Sequence, residues 1–122
     1  MSKTILIVDD SGAMRQVVKL ALVRAGYEVL EASHGKDALK QLDGRKVNLV
    51  ISDVNMPEMD GITFLKEMKK LPAYKFTPFI MLTTEGDESK KREGQAAGAR
   101  AWIVKPFQTD RLLDAVSKVI AP

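Results

Sequence analysis

Cysteine is absent from the 122 residues, which removes disulfide bridges, thiol nucleophiles and thiolate metal sites together and fits a reducing compartment. Long apolar runs are missing as well. Each one is broken within a handful of residues, so no segment reads as a membrane span, and none is expected to insert into a bilayer. The start, Met1-Ser2-Lys3-Thr4, passes straight into a strand-like run with no basic stretch, apolar core and small-residue cleavage site. A cytoplasmic protein is the expectation. Aromatic residues make up only 6% of the chain. The basic clusters Lys66, Lys69, Lys70 and Lys90, Lys91, Arg92 stand beside acidic residues without interleaved aromatic rings. The net charge of +3 is therefore read as a solvated surface, and no nucleic-acid partner is expected.

What is present suits one globular unit. Hydrophobic residues form 45% of the chain and charged ones 29%, enough to bury a core within a single domain spanning residues 1–122. No output domain is expected. Short apolar runs recur at Ile5 to Val8, Leu49 to Ile51, Phe79 to Leu82 and Trp102 to Val104, with a weaker one at Tyr27 to Leu30. They lack polar alternation, the pattern of parallel strands covered by helices on both faces.

Helical periodicity fills the gaps. Met14, Val17, Val18, Ala21, Leu22 and Ala25 form one stripe, closed by Gly26. Further stripes are Ala38, Leu39 and Leu42; Phe64, Leu65, Met68 and Leu71; and Leu112, Leu113, Val116, Val119 and Ile120. Gly44 and Pro72 supply stop signals, and Asp60-Gly61 reads as the cap of the third helix. The stretch from Asp87 to Ala97 is helix-like but polar, with Ala96 and Ala97 as its main apolar content. Strand and helix thus alternate in an open α/β sheet with right-handed crossovers.

In such sheets the site forms beyond the carboxyl ends of the strands. The first run ends in Asp9-Asp10, the third in Asp53 and the fourth in Thr83-Thr84, and Lys105-Pro106 follows the fifth. Converging carboxylates repel one another unless a cation neutralises them. With oxygen donors alone, the hard cation Mg²⁺ fits best, and Mn²⁺ is the expected substitute. Lys105 and the Thr83 hydroxyl suit the oxygens of an anion arriving at Asp53. Taken alone, Asp9-Asp10 reads better as an N-terminal cap for the helix that runs from Ser11, and Asp53 is what turns the reading toward a site. His34, the single histidine, reads as a solvated residue at the start of the second helix, not as a phosphodonor.

The same residues, Asp9-Asp10, the segment Asp53 to Gly61, Thr83-Thr84-Glu85 and Lys105-Pro106-Phe107, resemble in order and spacing the signature of response-regulator receiver domains. The likeness covers essentially the whole chain and is strongest to the single-domain receivers of chemotaxis. It implies a flavodoxin-like (β/α)5 three-layer sandwich with strand order 2-1-3-4-5. It also implies that Asp53 accepts a phosphoryl group from a sensor histidine kinase. Mg²⁺ would be bound directly by Asp10 and Asp53, by the backbone carbonyl of Asn55, and by Asp9 mainly through water. Thr83 and Lys105 would contact the phosphoryl group, and a cis Lys105-Pro106 peptide would aim the lysine inward. Asn55 and Glu85 would tune the lifetime of the acyl phosphate.

Thr83 and Trp102 would form the switch, with Trp102 standing where those receivers carry tyrosine. The face made by the fourth helix, fifth strand and fifth helix would bind a downstream protein, such as a flagellar motor switch component or a phosphatase. A monomer is expected before phosphorylation. The competing readings are a phosphate sink or relay carrier, an aspartyl-phosphate phosphohydrolase, and a flavodoxin-like cofactor binder. The last is disfavoured because Asp9-Asp10-Ser11-Gly12 stands where a glycine-rich phosphate loop would be needed.

Overall fold

The computed structural model describes residues 2–84 and 88–120. Strands and helices alternate along them: β1 (Thr4–Val8), α1 (Gly12–Arg24), β2 (Glu28–Ala32), α2 (Gly35–Gln41), β3 (Leu49–Asp53), α3 (Gly61–Lys69), a 3₁₀ turn (Pro72–Tyr74), β4 (Phe79–Thr83), α4 (Glu88–Ala97), β5 (Ala101–Val104) and α5 (Thr109–Val119). All strand pairs are parallel, in the order β2-β1-β3-β4-β5. This is the flavodoxin-like order that the resemblance implies. Its winding direction reverses between β1 and β3, at whose carboxyl ends a crevice opens.

The unbroken apolar runs follow from burial on both faces. Successive side chains of a strand point to opposite sides of the sheet. Leu6, Val8, Val50, Phe79 and Met81 accordingly join one core with Phe64, Leu65 and Met68 of α3. Ile5, Ile7, Leu49, Ile51, Ile80 and Leu82 join the other with Val18 and Leu22 of α1 and Leu112 and Val116 of α5. Three layers result, with α2, α3 and α4 on one side and α1 and α5 on the other.

Several boundaries differ from the sequence reading. The second strand begins after Tyr27, whose ring is buried and whose hydroxyl donates to the Ile120 carbonyl at 3.2 Å. On α1 only Val18 and Leu22 are buried, packed on the strand residues of the core that α1 shares with α5, while Val17 is 50% exposed. Leu71 lies beyond α3 and precedes the 3₁₀ turn, yet still packs on the core. Strand β5 is an edge strand, so its residues are only partly covered and Val104 is 46% exposed. In α4 the buried residue is Gly94, whereas Ala96 is exposed. The expected start at Asp87 lies outside the described residues.

Among the described residues no helix is long and apolar enough to cross a membrane.

Candidate functional site

Register brings the strand ends into line. Val8 pairs with Ser52, Asp53 with Leu82, and Thr83 with Val104, so the residues that close each apolar run share one edge. Asp9 extends β1 by donating its N–H to the Ala32 carbonyl, and Val54 extends β3 by donating to Leu82. The carboxylates of Asp9, Asp10 and Asp53 offer oxygens that all lie within 4.8 Å of one another. Asp9 and Asp53 are buried and Asp10 is exposed.

The capping alternative for Asp9-Asp10 fails on geometry. Ser11 caps α1, its Oγ accepting from the Met14 N–H at 3.1 Å, and Asp9 Oδ1 accepts instead from the Ser11 N–H at 2.9 Å. Arg15 also donates to the Asp9 backbone carbonyl. These bonds fix the orientation of the Asp9 carboxylate and leave Asp10 as the accessible carboxylate of the pair.

Lys105 crosses the cluster from the loop after β5. Its Nζ lies 3.0 Å from Asp9 Oδ2 and 3.4 Å from Asp53 Oδ2, with the side chain only 10% exposed. One cation therefore serves two buried carboxylates, and the third remains in solvent. Burial raises the Asp53 carboxyl above its ordinary value of 3.8; Lys105 opposes the rise, and the neighbouring Asp9 charge adds to it. A divalent cation would relieve the same imbalance. The donor set is all oxygen, as a hard cation requires, and this acidic triad is typical of the receiver-domain metal site.

The remaining residues surround this centre. The Lys105-Pro106 peptide is cis, as the resemblance implies. Thr83 is buried at the end of β4. Strand parity and the pairing of Met81 with Trp102 put Thr83 and Trp102 on the same face of adjacent strands. The Trp102 ring packs against Gly94 of α4, and its Nε1 is buried with no hydrogen-bond partner among the described residues. Asn55 stands exposed in the loop after β3. Glu85 lies outside the described residues.

Two contacts had no counterpart in the sequence reading. His34 is more than a solvated helix end: its Nδ1 accepts from the Asp37 N–H at 3.2 Å, capping α2, and its Nε2 lies 3.0 Å from Glu58 Oε2 in the loop after β3. Lys90 of α4 donates to Asn55 Oδ1 at 3.1 Å. The His34–Glu58 and Lys90–Asn55 partners are far apart in the chain, and no local spacing pairs them.

The family model for the response regulator receiver domain matches residues 5–117. The chain is 44% identical over 121 residues to the chemotaxis protein CheY of Bacillus subtilis, covering 98% of this chain and 99% of that one. It is 40% identical over 120 residues to CheY of Thermotoga maritima, covering 98% of each. The solved structure of chemotaxis protein CheY4 of Vibrio cholerae superposes with a TM-score of 0.94 at 45% identity, covering 98% of this chain and 100% of that one. An acidic triad at the winding reversal of a 2-1-3-4-5 sheet, a lysine reaching into it and these full-length likenesses converge: the chain belongs to the response regulator receiver domain family.

Proposed function

We propose that this chain is a single-domain chemotaxis response regulator in which Asp53 accepts a phosphoryl group from a histidine kinase. The observation that carries the reading is the placement of Asp53: buried at the end of β3, with oxygens of Asp9 and Asp10 within 4.8 Å and Lys105 Nζ at 3.4 Å. The relatives' names support chemotaxis over a phosphate sink or relay carrier. A receiver of this family is a signalling switch rather than a classical enzyme.

The transfer is an in-line displacement. An Asp53 oxygen attacks phosphorus, the bond to the donor's leaving group breaks, and an acyl phosphate forms on the carboxylate. Bound Mg²⁺, with Mn²⁺ as substitute, supplies electrostatic sharing of the phosphoryl charge. Asp10, Asp53 and the backbone carbonyl of Asn55 are its proposed ligands. Asp9 is better suited to hold it through water, because both Asp9 carboxylate oxygens already carry protein partners. Lys105 gives up part of its contact with Asp9 to meet a phosphoryl oxygen, and the Thr83 hydroxyl donates to another.

Movement of Thr83 toward the phosphoryl group vacates space on the face it shares with Trp102. This biases α4, β5 and α5 toward the form that binds the downstream protein, a motor switch component or a phosphatase. The protein acts in the cytoplasm, as a monomer before phosphorylation. Adding Mg²⁺ with acetyl phosphate or beryllofluoride should change the fluorescence of Trp102 in the wild type and leave Asp53→Asn unchanged. The intact wild type should gain the mass of one phosphoryl group. Absence of both changes would refute the acceptor assignment.

A further inference from the structure

Helix α4 has little to hold it in place. Among its residues only Gly94 is buried, so its position against the rest of the domain depends on polar ties more than on an apolar face. Among the described residues, Lys66 Nζ of α3 lies 3.2 Å from Glu93 Oε1, and Lys90 Nζ donates to Asn55 Oδ1 at 3.1 Å. The second lands two residues past Asp53. Asn55, Lys90 and Glu93 also line a cavity of about 240 Å³ that lies beside Val54.

An ammonium can only donate, so its partner on the amide must be the oxygen. Lys90 therefore fixes which end of the Asn55 side chain faces α4, and restrains its rotamer two residues past Asp53. Loss of the acyl phosphate requires a water oxygen to attack phosphorus opposite the Asp53 oxygen. The phosphorus–oxygen bond to the carboxylate then breaks, Asp53 leaves as carboxylate, and inorganic phosphate departs with the protons of the water. A side chain at position 55 held in one rotamer obstructs that approach. A side chain free to rotate does so only part of the time.

We infer that Lys90 is a positioning residue for the phosphorylated state: by holding Asn55 across the gap between the loop after β3 and α4, it slows hydrolysis of the aspartyl phosphate. The inference rests on Asp53 being the acceptor. It assigns to α4 a direct connection to the acceptor loop, separate from the pair Thr83 and Trp102.

The test is the decay of the phosphorylated protein, followed by intact mass and phosphate release after removal of acetyl phosphate, in wild type, Lys90→Met, Lys90→Arg and Asn55→Ala. One hydrogen bond to a charged donor predicts that Lys90→Met loses its phosphoryl group about two- to tenfold faster. Lys90→Arg, which keeps the donor, should decay near the wild-type rate. In the Asn55→Ala background Lys90→Met should change nothing further, an outcome that general loosening of α4 would not produce. An unchanged lifetime in Lys90→Met, or equal acceleration with and without Asn55, overturns the inference. Failure of the wild type to take up a phosphoryl group at all overturns the acceptor reading beneath it, and is distinguished by the mass alone.

Discussion

A Cβ placed on Gly61 would lie 2.1 Å from the backbone carbonyl oxygen of Asp53. The first residue of α3 thus presses on the acceptor strand itself. The contact is reinforced by the Gly61 N–H, which donates to the Val54 carbonyl at 2.8 Å, and by Asp60, whose Oδ1 caps α3 through the Thr63 N–H at 2.7 Å. Both elements are backbone, so neither yields cheaply. Gly61→Ala should destabilise the fold by about 1–3 kcal/mol in urea unfolding, and should slow phosphorylation by acetyl phosphate because the Asp53 carboxylate is displaced. A variant as stable as wild type and phosphorylated at the same rate would show that the loop after β3 shifts without moving the acceptor.

Gly94 and Trp102 form a second close pair, with a Cβ at Gly94 falling 2.9 Å from the indole ring. Two effects oppose each other in Gly94→Ala. Alanine favours the helix by about 1 kcal/mol, while the rigid ring must move off α4. The ring's inward seat leaves its Nε1 donor without a partner among the described residues, so outward movement into water regains a hydrogen bond. Stability should therefore change by less than about 1 kcal/mol. The emission of Trp102, the one tryptophan, should shift to the red without any phosphodonor, and the wild-type response to beryllofluoride should shrink. Unaltered emission would show that α4 moves in place of the ring.

The positions of the candidate site were legible because buried parallel strands write their ends into the sequence. Where an apolar run stops, the next residue sits at the carboxyl edge, as Asp9 does after Val8, Thr83 after Leu82 and Lys105 after Val104. Asp53 closes β3 in the same way, and Asp60-Gly61 was readable as the start of α3. Other features depend on tertiary neighbours. Val17 and Val18 are equally apolar, and only the way α1 seats on the sheet decides that one is exposed and the other buried. The edge position of β5, the packing of Trp102 on Gly94, the pairing of His34 with Glu58 and that of Lys90 with Asn55 join residues from separate elements. Periodicity carries no information about such pairs.

Burial and the Asp9 charge both resist ionisation of Asp53, and the raised carboxyl value is their net result. The folded state therefore holds the Asp53 proton to higher pH than the unfolded chain does. Stability from this group is complete below the ordinary value of 3.8 and declines as pH rises through the elevated folded value. At neutral pH without divalent cation, Asp53→Asn should be more stable than wild type by about 1 kcal/mol. The advantage should fade as pH falls toward 3.8, and adding Mg²⁺ should favour the wild type. Urea unfolding across that pH range, with and without Mg²⁺, checks each step; a less stable asparagine variant at neutral pH would show that the contact with Lys105 outweighs burial.

Lys105 is the counter-ion of two buried carboxylates at 3.0 and 3.4 Å, so its loss should be felt before any phosphoryl group arrives. Removing one partner of a buried ionic cluster leaves the other charges uncompensated, at about 3 kcal/mol. Lys105→Met should therefore unfold at lower urea without divalent cation. The same change removes a positive charge from beside the oxygens of Asp9 and Asp53, so Mg²⁺ should bind the variant more tightly than the wild type and return part of the lost stability. Phosphorylation by acetyl phosphate should nonetheless slow, because the ammonium that would meet a phosphoryl oxygen beside the metal is gone. Calorimetric titration with Mg²⁺ separates the two roles: tighter binding with slower phosphorylation assigns Lys105 to the phosphoryl group. Weaker binding would mean that the lysine's contacts are what hold the acidic cluster in shape.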